Sequence, residues 1–593
     1  MLKTNIEWIK KNVPGDLKIW KEMISEIDWK DVKKKQLNKL RMDKERIQDE
    51  WRDFVALSPA EKWDRFINGE RKLGRLYQKG SIAFTRREWK GVESTARDFQ
   101  NWLILWADMI KMVMRDPMSI ALGLFEYRWF SSYLASVAFF DRNTLGYRGR
   151  AVTMNRLLLA DVYRYVENVI ATLLMADRRI GGNDKINDKL MLFDEMTMAQ
   201  MMAGFPGLIG IPYQLIPMFL VSELDQLICI PYIDAVESYG LPSDTCPVPT
   251  SECGCAIPDA PPPCGLLGHH ILDALPHCGL GFISTSTPCD GSDMATSYQD
   301  RRFKLPTFPL TLPVRYDDED TVECGAQDMW HCIKWVEEIT GEKWDWEHYF
   351  TVIRRFNEQT KMEMEKWEMN STPYPQLIGP CYELFRKWNY EMDGGLEPSV
   401  MKTFYKVRKL MFQSYEEKCD PYRHPMKYRA VVWSCPAHYY ANFSNWLANA
   451  WGIGVLVEME SLNFTKELNT TDKDEAIRDL ARLYERMVMR KHTNGGYVHV
   501  LDELWKVCEQ FNANFIIMYQ HVCCKTMAGL QGLFDEQARE RGLHLIWVEH
   551  DLMDPRTVSR RDMRAKVTNY MSAIIQAEPT DESLIEFEDD ITW

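Results

Sequence analysis

Apolar and polar positions alternate in two different rhythms along the 593-residue chain. Up to about residue 150 apolar side chains recur every three to four positions, as in DFQNWLILWADMIKMVMRD (98–116). That spacing predicts amphipathic helices whose broad apolar face is core or subunit contact. From about residue 428 the rhythm changes. YRAVVWS, GVLVEME, NFIIMYQ and LHLIWVE are short apolar runs of strand length. Between and after them YYANFSNWLANAWG, KDEAIRDLARLYERMVMRK, VHVLDELWKVCEQFN, GLQGLFDEQARERG and SRRDMRAKVTNYMSAII carry helical spacing. Strand–helix alternation of this kind predicts a parallel sheet covered on both faces.

The middle of the chain is mixed. DQLICIPYI and GLGFISTST predict strands, and AQDMWHCIKWVEEI and the stretch around PQLIGPCYELFRKWNYEM predict helices. Between the two strands lies LPSDTCPVPTSECGCAIPDAPPPCG, a loop whose prolines rule out regular helix. The expected fold class is α/β, with a helical extension over residues 1–150, a first α/β domain with helical insertions over 151–427 and a second over 428–593. The two α/β halves are compatible with distant copies of one plan. The acidic end, EPTDESLIEFEDDITW, is expected to be a solvated tail.

Composition narrows the function classes. Hydrophobic residues make up 46 % and charged residues 27 %, a globular balance. The net charge of −14 makes nucleic acid an unsuitable main partner, since phosphate backbones attract lysine and arginine clusters. The N-terminus lacks an apolar core of signal-peptide length. GFPGLIGIPYQLIPMFLV (204–221) comes nearest to a membrane span, but its prolines and glycines predict buried, broken backbone. A soluble cytoplasmic protein without membrane attachment is expected. In a reducing cytosol its 15 cysteines are thiols, metal ligands or redox groups rather than disulfides.

Two strand predictions run directly into cysteine. STSTPCDGSDM places Cys289 after one, and NFIIMYQHVCCK places Cys523 and Cys524 after another. In open α/β sheets ligands bind beyond the carboxyl ends of strands, where helix N-termini also point N–H groups at anions. Cys246 lies in the loop between the first region's two predicted strands. Three thiolates on one cleft would suit an iron–sulfur cluster, because thiolate is the soft anionic ligand that iron prefers there. Spacing alone does not decide it: the chain has no C-x-x-C, and buried inert thiols are the commoner fate of cytosolic cysteine. A zinc site is the local rival, drawn from Cys246, Cys253, Cys255, Cys264, Cys278 and Cys289 with His269, His270 and His277, but the paired ligands zinc usually takes are missing. WSCPAHYY puts Cys435 and His438 at a strand end, and VEHDLMDPR puts His550, Asp551 and Asp554 at another; ordinary turn roles explain both equally well. P-loop, dinucleotide and nucleophile-elbow motifs are absent.

LPSDTC, STPCDG and HVCCKTMAGLQGLFDEQARERGLHLIWVEHDLMDPRTVSRRDMRAKVTNYM together resemble the 2-hydroxyacyl-CoA dehydratase / benzoyl-CoA reductase family, over about residues 200–593. VVWSCPAHYYANFSNWLANAWGIGVLVEMES is similar to the start of that family's second domain. The resemblance implies two Rossmann-like parallel-sheet domains with a [4Fe–4S] cluster between them, held by Cys246, Cys289 and Cys524, with Cys523 as the competing choice at the doublet. It implies a lyase subunit that removes water from a 2-hydroxyacyl-CoA through a ketyl radical, the open iron acting as Lewis acid for the leaving hydroxyl. A related second subunit and a separate ATP-dependent iron–sulfur activator would be the partners. The alternatives within the resemblance are an aromatic acyl-CoA reductase subunit and a non-catalytic cluster-bearing partner. The coenzyme A diphosphate is expected at a helix N-terminus near Thr526 or Met527. No catalytic acid or base is assigned.

Overall fold

A computed structural model describes residues 146–585, with breaks at 181, 195–198, 213–228, 256–270, 286–290, within 292–303, and at 312–317, 441, 463–465 and 486–496, plus isolated earlier positions. The helical pattern at 98–116, and the extension it belongs to, lie outside the described residues apart from those positions.

Helix α1 (Gly149–Ala176) leads into a four-stranded sheet built from β1 (Leu190–Phe193), β2 (Ile209–Pro212), β3 (Gly281–Thr285) and β4 (Thr307–Leu310). Between β2 and β3 come α2 (Cys229–Ser238) and α3 (Pro247–Cys255). Four helices follow: α4 (Glu319–Thr340), α5 (Trp346–Asn370), α6 (Pro380–Trp388) and α7 (Val400–Glu416). The second sheet holds β5 (Tyr428–Trp433), β6 (Ile453–Glu458), β7 (Phe515–His521) and β8 (His544–His550). Its connections carry α8 (Phe443–Trp451), α9 (Lys473–Glu485), α10 (Tyr497–Gln510) and α11 (Gln531–Glu540), and α12 (Arg560–Tyr570) follows β8.

Every strand pair is parallel. The orders are β2-β1-β3-β4 and β6-β5-β7-β8, one plan used twice. In each sheet the chain builds outward on one side of its first strand and then crosses to the other. The crevice where ligands bind in such sheets therefore falls between β1 and β3, and between β5 and β7. The apolar runs are continuous because both faces are covered: all six residues of β6 are buried.

The two sheets share a core. Leu190 and Leu192 of β1, Val431 and Trp433 of β5, and Ile516 and Met518 of β7 belong to one apolar cluster with α1. A second cluster joins α4 to α9 through Val322, Ala326 and Met329 against Ile477, Leu480 and Leu483. Each of the Val, Leu, Ile and Met side chains contributes about 1.5–3 kcal/mol on burial, and Ala326 less. The ion pairs along the same seam, Arg478–Glu323 at 2.9 Å and Arg482–Glu319 at 3.0 Å, involve exposed glutamates and are screened by solvent. Apolar packing therefore holds the seam. At the start of β5 the Arg429 guanidinium donates to the carbonyls of Phe511, Thr372 and Asn370, tying the strand to the ends of α5 and α10.

The structure corrects three local expectations and adds two short strands. The run DQLICIPYI was expected as a strand, but its described part enters α2, where Ile230, Ile233 and Val236 bury one face while Asp234 is exposed; spacing of three is helical. The proline-rich loop contains α3, because Pro247 and Pro249 sit in its first turn, where no intrahelical N–H is needed. Part of the 204–221 stretch is β2, and TFPL is β4, an edge strand that tolerates Pro309. The acidic tail docks as far as Leu584, which is buried and whose carbonyl accepts from Trp446 Nε1 at 2.8 Å.

Gly379, before α6, has φ +89, and a Cβ there would overlap the hydroxyls of Tyr147 and Tyr422, which stack at 4.9 Å. Gly379→Ala is expected to lower stability by about 3 kcal/mol, combining left-handed strain with overpacking. Gly542→Ala, at φ +66 with open space around it, should cost only about 1 kcal/mol. Urea unfolding of the two variants beside wild type checks the difference.

Candidate functional site

Parallel pairing sends all four strands of the second sheet out on one edge. β5 passes through Ser434, held at φ +69, to Cys435 and His438. A serine in the left-handed region is uncommon and marks a sharp redirection of the chain. β6 delivers Glu458 and then Glu460. β7 delivers His521 and turns into Cys523 and Cys524, with Cys524 N–H donating to His521 O at 2.9 Å. β8 delivers His550 and Asp551.

The first half of the chain closes over this edge. Cys246 immediately precedes α3, and its carbonyl accepts from Thr250 Oγ1 at 2.9 Å. Its Sγ lies 3.3 Å from His521 Nε2, a contact between residues 275 positions apart. Arg556 donates to Asp234 of α2 at 2.8 Å, and Ser251 Oγ lies 3.7 Å from Met553 Sδ. Between the two halves is a cavity of about 290 Å³, lined among others by Thr245, Pro247, Thr250, Asp551, Asp554 and Arg556.

The edge is sealed enough to change its ionisations. Burial, aided by the nearby Lys387 charge, pushes the His438 imidazole down to about 3. Burial pushes His521 down to about 4 and His550 well below its ordinary range. The three rings are therefore neutral at pH 7. The Cys435 thiol is pushed well up by burial and by the Glu460 carboxylate. Glu460 in turn is held low despite its burial by Lys387, whose Nζ is 2.9 Å away. Burial and the Asp551 carboxylate push Cys523 up to about 11, with its Sγ 3.8 Å from Asp551 Oδ2. Asp551 accepts the backbone N–H groups of Met553 and Asp554 at 3.0 and 2.9 Å, so VEHDLMDPR is a turn as well as a cavity wall.

The expected ligands fare as follows. Cys246 and Cys524 are both half-buried and both lie at this edge, Cys524 packing on the core beside Cys435. Cys289 lies outside the described residues; β3 ends four positions before it, beside the first sheet's own crevice. The zinc candidates Cys253 and Cys278 are buried in separate apolar clusters, so they do not converge. Cys264, His269 and His270 lie outside the described residues. Among the described residues no group of three or more His, Cys, Asp or Glu is arranged to hold a metal ion. The turn after Cys524, Lys525–Ala528, is four residues long with Met527 buried, too short to sum an appreciable macrodipole for a diphosphate. His521, Lys387 and Glu460 carried no signal beyond their places after strands or on a helix. Among the described residues no helix is long and apolar enough to cross a membrane.

Two parallel sheets of one strand plan, each with its crevice at a strand-order reversal, define an α/β protein, and thiols gather at the carboxyl edge of the second sheet. The chain belongs to the family described as 2-hydroxyglutaryl-CoA dehydratase, D-component, whose model matches residues 230–572, more than half of its length. No individual curated protein matches it significantly.

The depressed imidazole of His438 ties stability to pH. An unfolded histidine takes up a proton below about pH 6.5, which the buried ring refuses. Its contribution is present above that pH and is lost as pH falls towards 3. His438→Gln should therefore be less acid-sensitive than wild type, by about 2 kcal/mol at about pH 5 relative to neutral, at 1.4 kcal/mol per unit. Urea midpoints of both proteins between those pH values check it.

Proposed function

We propose that this chain is a cluster-bearing subunit of a 2-hydroxyacyl-CoA dehydratase, with a [4Fe–4S] cluster held by Cys246, Cys289 and Cys524. Family membership supports the dehydratase class. The observation that carries the site is the contact of Cys246 with His521 at 3.3 Å, which joins the first half of the chain to the turn bearing Cys524. When bound, such a cluster supplies one iron without a protein ligand and a low-potential electron for a ketyl-radical elimination.

The chain's own residues then have definable tasks. His521, with Nε2 3.3 Å from the Cys246 sulfur, orients that ligand through this contact. Asp551 draws the Cys523 thiol towards itself, leaving Cys524 as the ligand of the doublet. The neutral rings of His438 and His550 and the apolar packing behind them keep water from the edge, which strengthens every electrostatic interaction inside it. The Lys387–Glu460 pair keeps charge fixed beside Cys435 without adding net charge. The cavity between the halves is the entry for an acyl-CoA. A related second subunit and a separate ATP-dependent iron–sulfur activator complete the proposed enzyme.

The test is iron and acid-labile sulfide on protein purified without oxygen, wild type beside the Cys246/Cys289/Cys524→Ala variant. About four of each per chain in wild type, lost in the variant, are expected. Little iron after reconstitution with the partner present would remove the reading. With the activator added, a 2-hydroxyacyl-CoA should be dehydrated. Turnover of benzoyl-CoA instead would assign the reductase branch, and a cluster spectrum indifferent to acyl-CoA would assign a non-catalytic partner.

A further inference from the structure

The cavity between the two halves is lopsided in charge. Its first wall is the chain from Cys229 to Cys255, which supplies α2, α3 and the loop joining them. That stretch holds four acidic residues, Asp234, Glu237, Asp244 and Glu252, and no lysine, arginine or histidine. The facing wall is the turn after β8. There Asp551 and Asp554 are 4 % and 8 % exposed, and Arg556 is the only cation among the described residues that line the cavity. Between the charges, Ile233, Pro242 and Pro247 give apolar surface, and Ser243, Thr245 and Thr557 give hydroxyls. At about 290 Å³ the cavity is at the small end of ligand pockets, which run from about 300 to about 1,000 Å³.

Arg556 is already answered by the protein. Its Nε donates to Asp554 Oδ1 at 2.9 Å, its Nη2 to Asp554 Oδ2 at 2.6 Å and its Nη1 to Asp234 Oδ1 at 2.8 Å. One guanidinium between two carboxylates leaves the trio negative. Glu237 and Asp551 add to that charge. Asp551 is pushed up to about 6 by burial and remains largely ionised at pH 7. The basic groups that follow do not compensate. Arg560 lies 5.4 Å from the Tyr440 ring, Arg564 donates to the Tyr440 hydroxyl at 3.0 Å, and Arg561 is not among the lining residues. Of the imidazoles at the edge, His521 and His550 are neutral.

We infer that this cavity takes the acyl end of a thioester that bears no negative charge, and turns away one that carries a second carboxylate. The statement rests on the reading of the cavity as the entry for an acyl-CoA. A carboxylate entering here would give up water and meet ionised Asp and Glu with the one cation already paired, and like charges repel more strongly where the surroundings are less polar than water. Discrimination of this kind comes from repulsion of the wrong ligand rather than from an added contact to the right one. An uncharged chain finds the isoleucine and prolines on one side and hydroxyls on the other. The same field keeps the phosphates of coenzyme A outside. The thioester end then arrives beside Cys246, whose neighbours Thr245 and Pro247 both line the wall.

Calorimetric titration of the full chain, purified without oxygen, tests this with two thioesters of the same size. One is 2-hydroxyglutaryl-CoA, and the other is the same compound with its terminal carboxylate replaced by an amide. Wild type should bind the amide about tenfold or more tightly than the carboxylate. Two variants locate the cause. Glu237→Gln removes one repelling charge, and Asp234→Asn, at a side chain 54 % exposed, releases one end of Arg556. Each should narrow the gap to about threefold, chiefly by improving binding of the carboxylate. Equal affinities in wild type, tighter binding of the carboxylate, or an unchanged gap in both variants would overturn the inference and leave the acyl-CoA reading standing. Binding of neither thioester would strike that reading and the inference with it.

Discussion

The structure hangs on the position of β5 between β6 and β7, with all three strands parallel. Parallel pairing forbids tight hairpins, so each connection must cross a face of the sheet as a helix. It also points every strand's carboxyl end the same way. Residues far apart in sequence, Cys435, Glu458, His521 and His550, are thereby delivered to one edge. Because β5 was laid down first and its neighbours were added on opposite sides, that edge opens between β5 and β7, where Cys435 and Cys524 emerge.

The same plan in the first sheet supplies the other wall. Helices α2 and α3 leave β2 and lie against the turn after β8, where Arg556 bridges Asp554 and Asp234. That pair is partly solvated and weak on its own. The continuous apolar core beneath, reaching from β1 to β7, fixes the distance between the halves. The cavity is what the two edges leave unfilled.

Helix α6 holds an unusual place in this arrangement. Of its nine residues, all but Leu384 are buried, among them a glutamate, an arginine and a lysine. Helices in such surroundings are normally apolar all round. Replacing buried ion pairs with hydrophobic residues of similar volume is often neutral or stabilising, so stability alone gives no reason for these charges. They lie directly behind the strand edge, where Lys387 pairs with Glu460 beside Cys435.

How much of this was legible depended on whether a feature is local. The strands and helices after residue 428 declare themselves through uninterrupted apolar runs and helical spacing, because both follow from burial on known faces. The four-residue strands β1, β2 and β4 fall below the length at which a pattern can be distinguished, and the prolines of α3 read as loop until their place in the first turn is known. Strand-end cysteines were visible, since a thiol after an apolar run needs no partner to be noticed. Lys387 and Glu460 were not: a lysine on a helix and a glutamate just after a strand are ordinary in sequence. Sequence determined which elements form and where thiols follow strands, because those depend on neighbours within a few residues. Only the tertiary structure decided that Cys246 meets His521 and that buried Lys387 meets Glu460, because dielectric surroundings and long-range contacts exist only once the sheets have packed.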